Sequence, residues 1–105
     1  MGFHEETIDK IITRLFKSGK YNFIAKNVQY EFSEMDAVAN RYLKKRTYAL
    51  VFEVKSKDKY KYRQKAKKQL NMHEKTFSDY VDKIYKFYVY PKDKNKKEYK
   101  IKWIR

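Results

Sequence analysis

Residues 47–55, Thr-Tyr-Ala-Leu-Val-Phe-Glu-Val-Lys, constrain the fold of this chain more than any other stretch. The run is rich in aromatic and β-branched residues and predicts a strand. Both of its faces start apolar, which places it inside a sheet with cover on each side. Strand side chains alternate, so Ala49, Val51, Glu53 and Lys55 share one face. That face begins apolar and ends in a carboxylate and an ammonium. Buried charge is costly unless it is paired or binds a metal. The end of this strand is therefore either a plain Glu53–Lys55 ion pair or a functional site.

The flanking sequence predicts the cover. Ile8, Ile11, Ile12, Leu15 and Phe16 give residues 4–17 the spacing of an amphipathic helix, and Ser18-Gly19 gives it a stop. Residues 22–32 read as a strand or hairpin, with Val28, Tyr30 and Phe32 alternating with Gln29 and Glu31. Residues 35–40 continue as a strand, and residues 41–46 read as a basic turn. Residues 59–73 predict a second helix with Tyr62, Ala66, Gln69, Leu70 and His73 on one face. Residues 74–83 fit a short helix or a loop. Residues 84–90 and 98–104 predict a closing hairpin around a polar loop. The expected fold is α/β or α+β: one domain over residues 1–105, in the order α-β-β-β-α-β-β, with a mixed central sheet flanked by helices.

Composition narrows the function. The chain has no cysteine, which excludes a disulfide scaffold, a cysteine nucleophile and a thiolate zinc site. No apolar run approaches the roughly 20 residues of a membrane span, and residues 1–10 do not read as a signal peptide. The expectation is an intracellular protein with no membrane partner. The net charge is +14 on 105 residues. Its distribution is uneven, because residues 1–40 hold five basic and six acidic groups and residues 41–105 therefore hold +15. Basic residues interleaved with 11 Tyr and 7 Phe point to a polyanion, nucleic acid before membrane.

A second acid accompanies Glu53. Even positions from Val28 run through Tyr30, Phe32, Glu34 and Asp36 to Val38, again placing acid where apolar residues are expected. Asp36 and Glu53 are separated by a single turn, so the two carboxylates can sit side by side. Paired carboxylates with water and phosphate suit Mg²⁺, with Mn²⁺ able to substitute. Lys55 points to the same place and suits the charge of a scissile phosphate.

The stretches Ser33-Glu34-Met35-Asp36-Ala37-Val38-Ala39 and Leu50-Val51-Phe52-Glu53-Val54-Lys55-Ser56 resemble the PD-(D/E)XK nuclease superfamily. The likeness is greatest to small archaeal and viral Holliday junction resolvases and to RecB-like nucleases. It covers roughly residues 4–73. Ser33 or a neighbour stands where many relatives carry glycine, and His73 stands where the RecB-like Q-x-x-x-Y motif has tyrosine. The resemblance implies a restriction-endonuclease-like core and a Mg²⁺- or Mn²⁺-dependent endodeoxyribonuclease that leaves a 5′-phosphate. It implies Asp36, Glu53 and the Val54 backbone carbonyl as metal ligands and Lys55 as the catalytic lysine. It implies Glu5 as the acid of the first helix and a further ligand, and Gln69 as a contact to phosphate or lysine. The alternatives are that Glu5 only complements a helix N-terminus and that Gln69 is a boundary residue. Lys57, Lys59, Lys61, Arg63, Lys65, Lys67 and Lys68 are candidate phosphate contacts, as are Arg41, Lys44, Lys45 and Arg46. The expected partner is DNA, branched DNA above all, bound by a homodimer. The alternatives are a single-strand exonuclease or nicking nuclease of replication and repair, and a non-catalytic nucleic-acid-binding protein.

Overall fold

The computed structural model describes residues 2–30 and 33–105. The elements are α1 (Phe3–Ser18), β1 (Phe23–Tyr30), β2 (Ser33–Leu43), β3 (Arg46–Val54), α2 (Tyr60–Phe77), β4 (Lys83–Pro91) and β5 (Tyr99–Ile104). The strands form one sheet in the order β1-β2-β3-β4-β5. Every neighbouring pair is antiparallel except β3 and β4. That parallel pair needs a crossover, and α2 supplies it. The element order and the mixed sheet match the sequence reading, in an α+β arrangement. Among the described residues, no helix is long and apolar enough to cross a membrane.

Each sheet face carries its own core. On one side α1 sets Ile8 and Ile11 against Ala37, Phe52, Val54 and Val89. On the other, α2 sets Ala66 and Leu70 against Met35, Val38, Val51, Tyr88 and Ile104. β3 lies between them, with Ala49 and residues 51–54 all buried, as its two apolar faces require. α1 stops where Gly19 takes the left-handed conformation at φ 65° and donates its N–H to the Phe16 carbonyl.

Three expectations change. Residues 41–46 are not all turn. Arg41, Tyr42 and Leu43 continue β2 and pair with Tyr48, Thr47 and Arg46, leaving Lys44 and Lys45 as a two-residue hairpin loop. Both lysines have positive φ, 51° and 66°. A tight hairpin needs that conformation, although lysine offers no signal for it. α2 also runs on to Phe77, whose ring packs 5.8 Å from that of Tyr30.

The third change concerns the even-numbered face expected from Val28 to Val38, of which Glu31 and Phe32 lie outside the described residues. The remainder is divided between β1 and β2, and the alternation skips a step in both. Ala25 and Val28 both join the α2-side core, while Lys26 between them reaches Asp9 on α1. The skip falls at Asn27, which has φ 51°. On β2, Met35 and Val38 face α2 while Ala37 faces α1, so the skip falls at Asp36. The ladder pairs Lys26 with Ala37 and Val28 with Met35, with no pairing between Asn27 and Asp36. Asp36 is thereby released from the regular alternation, beside the end of β3.

Candidate active site

The register of β2 on β3 pairs Ala37 with Phe52. Just beyond that pair, Asp36 and Glu53 lie side by side in one recess. Asp36 Oδ2 accepts the Val54 N–H at 2.7 Å and lies 3.3 Å from His4 Nε2 in the first turn of α1. Glu53 leans toward α2, where His73 Nε2 lies 2.6 Å from its Oε1. Both acids are buried, Asp36 at 7% exposure and Glu53 at 1%. They line a recess of about 420 Å³ together with His4, Glu34, Lys55, Gln69 and Met72.

The electrostatics follow from that crowding. Burial and the adjacent Asp36 carboxylate push Glu53 up to about 9. Burial also works to raise Asp36. Hydrogen bonds from His4 and from the Val54 N–H outweigh it and hold Asp36 below the usual range. The pair thus shares one proton, carried by Glu53, because two adjacent carboxylates do not both ionise in a dry site. His4 is raised, chiefly by its hydrogen bond to Asp36 and against the effect of burial. Burial lowers His73, so its contact with Glu53 is a neutral hydrogen bond and not an ion pair. With the proton on Nε2, only a lone pair at the buried Nδ1 lacks a partner. An unpaired lone pair costs less than an unpaired N–H.

Asp36, Glu53, Lys55 and Gln69 therefore come together in one recess. The buried Oε1 of Gln69 has no hydrogen-bond partner among the described residues, leaving an acceptor free for a bound molecule. Glu5 is not brought in. It is exposed, and its Oε1 approaches Nδ1 of His4 at 3.4 Å, so His4 occupies the place expected of the helix acid. Helical spacing favours Glu5 on the inward side of α1 and passes over His4, a lone histidine near the start of the chain; the structure reverses that order. His73 supports Glu53 from behind.

The predicted phosphate contacts fall into two groups. Lys57, Lys59, Lys61, Lys65, Lys67 and Lys68 lie exposed in the β3–α2 loop and on α2, the helix whose Gln69 and Met72 line the recess. Arg63 is there too, with its Nε 3.3 Å from Asp58. Arg41, Lys44, Lys45 and Arg46 belong to the opposite end of the sheet. Seven residue steps along β3 separate Arg46 from Glu53, about 23 Å of extended strand. These four do not border the recess.

No family model, curated protein or solved structure matches this chain.

Among the described residues, no three His, Asp or Glu side chains are gathered tightly enough to hold one metal ion between them. Two carboxylates forced to share a proton, beside an unpartnered amide oxygen, still make an oxygen-rich donor set. That set suits a hard cation that keeps several of its waters.

Proposed function

We propose that this chain is a metal-dependent DNA nuclease of the PD-(D/E)XK kind, cutting phosphodiester bonds at the recess between β2, β3 and α2. The observation that carries this reading is the placing of Asp36 and Glu53 side by side, buried, with Lys55 lining the same recess. A structural ion pair needs one acid and one base. It does not need a second buried acid that raises the first.

Asp36, Glu53 and the Val54 carbonyl would hold Mg²⁺ or Mn²⁺, which supplies Lewis acidity toward the phosphate and a more acidic bound water. Glu53 would have to lose its proton to solvent for both acids to serve as ligands. Lys55 balances the charge that grows on the phosphate as the bond to oxygen breaks. Gln69 would contact the phosphate through its amide N–H or Lys55 through its unpartnered Oε1. His73 fixes the Glu53 carboxyl, as second-layer partners of ligands do. The lysines of the β3–α2 loop and α2 hold the flanking phosphates without reading sequence. One chain carries one such pair of acids. Resolving a four-way junction, with two symmetry-related scissile bonds, therefore calls for a homodimer.

The second reading is a nuclease for single strands, favoured by exposed aromatic side chains on the far half of the sheet. The test is incubation with labelled four-way junction, flap, duplex and single-stranded DNA in Mg²⁺, Mn²⁺ or EDTA. The expected result is cleavage with either cation, fastest on the junction, and none in EDTA. Preference for single strands would replace the resolvase reading by the second one. Intact DNA in every lane would overturn both.

A further inference from the structure

α1 covers only part of its sheet face. Beyond it, toward the Lys44-Lys45 hairpin, the face is aromatic. Tyr48 of β3 stacks on Tyr85 of β4 at 6.4 Å, and Tyr85 lies 6.0 Å from Trp103 of β5. The three rings form a row across three adjacent strands. Trp103 is 47% exposed. Cations stand on the rings, with the Arg105 guanidinium 4.6 Å from the Trp103 centroid and Lys83 Nζ 5.3 Å from that of Tyr85. Arg41 shares a shallow recess of about 300 Å³ with Tyr48 and Tyr85.

We propose that this row is a stacking platform for single-stranded nucleic acid, separate from the acid recess. Every base has a π face, and stacking on aromatic side chains contributes about 1–3 kcal/mol per base. An exposed cation–π contact contributes about 0.5–1 kcal/mol. A base therefore displaces Arg105 or Lys83 from its ring, and the freed cation meets the phosphate that follows. This also gives Arg41, Lys44, Lys45 and Arg46, which lie far from the recess, a polyanion to bind.

The competing occupant is a second copy of this chain. A twofold contact through this face would crowd Arg41, Lys83 and Arg105 of both copies into one interface. The chain already carries +14, so that arrangement adds like-charge repulsion where a nucleic acid adds attraction. The homodimer of the nuclease reading would use another surface. The platform does not depend on that reading, because it binds without cutting.

Trp103 is the single tryptophan and so reports directly on its own surface. The experiment titrates the full chain in EDTA with oligothymidylate, oligouridylate and a blunt duplex, following Trp103 emission and, separately, binding by anisotropy. The expected result is saturable quenching by both single strands and little quenching by duplex, even where anisotropy shows duplex bound. Tyr85→Ala is expected to weaken single-strand binding about fivefold or more while leaving duplex binding within twofold, and Tyr85→Phe to behave as wild type. Several results would overturn the platform: unchanged Trp103 emission at single-strand saturation, equal quenching by duplex, or equal loss of both ligands in Tyr85→Ala. A protein-concentration-dependent blue shift of Trp103 without nucleic acid, accompanied by doubling of mass in light scattering, would assign the face to a second copy instead.

Discussion

Asp36 and Glu53 hold opposite electrostatic positions though both are buried acids a few ångströms of backbone apart. Asp36 keeps its charge because the Val54 N–H and His4 satisfy it, whereas Glu53 faces a neutral imidazole and an anion. The nuclease reading needs both. Asp36→Asn and Glu53→Gln are each expected to lower the cleavage rate at least about 100-fold, since loss of a ligand removes the cation that activates water. Binding of uncleaved DNA should stay within a few-fold of wild type, because lysines hold the phosphates. Single-turnover cleavage beside anisotropy reads the two effects separately, and a variant that still cuts at the wild-type rate removes its residue from the site. Glu53 also sets a pH dependence. Its folded value lies above the unfolded one, so the folded chain holds an extra proton from the ordinary glutamate range up to about 9. Stability from this group is highest on the acid side and falls as pH rises through that window. In EDTA the melting temperature should fall across it, and Glu53→Gln, which does not ionise, should flatten the fall. Equal slopes for the two proteins would mean that Glu53 ionises without cost.

Among the elements, β3 was the most legible in the sequence. Two apolar faces have one solution, a central strand, and a charge at the end of such a strand has to be explained by its surroundings. The inward faces of α1 and α2 follow from their spacing for the same reason, down to Gln69 and His73 on one side of α2, except that Phe16 at the end of the α1 stripe stays 76% exposed. The hairpin at Lys44-Lys45 was hidden, since its left-handed residues are lysines and not the usual Asn or Gly. The slip in alternation at Asn27 and Asp36 was hidden too. It depends on a backbone angle and on two strands changing phase together, and hydrophobic pattern records neither. Spacing favoured Glu5 over His4, and only the position of α1 over β2 shows that His4 is the one that reaches Asp36. Buried Lys86 on β4 went unread because its partners, Asn71 and Glu74, come from α2 across the sheet. The α2 seam gives a direct stability prediction. Leu70, fully buried among Val38, Val51 and Ile104, should cost about 2–5 kcal/mol when changed to alanine. Chemical denaturation measures it, and a loss below about 1 kcal/mol would mean that α2 is not packed against this face.

Over the whole molecule, positive charge is divided between two ends of the sheet. One cluster leads from the acid recess along α2, and the other surrounds the aromatic row. DNA binding should therefore be steeply salt-dependent, with log affinity falling against log salt at a slope of roughly −5 or steeper on duplex. A nearly flat response would make the lysines a solvated surface with no phosphate to hold. The two clusters should also separate by variant. Reversing Lys57, Lys59 and Lys61 to glutamate should impair cleavage, and reversing Lys44, Lys45 and Arg46 should leave duplex cleavage within a few-fold. The central claim is that two buried acids make this chain a cation-dependent nuclease. The most direct test compares wild type with Asp36→Ala on one labelled four-way junction in Mn²⁺ and in EDTA. Cleavage by the wild type in Mn²⁺ alone and none by the variant is expected, with the intact junction bound in the other three reactions. A junction left whole by wild type in Mn²⁺, or cut equally by Asp36→Ala, would contradict it.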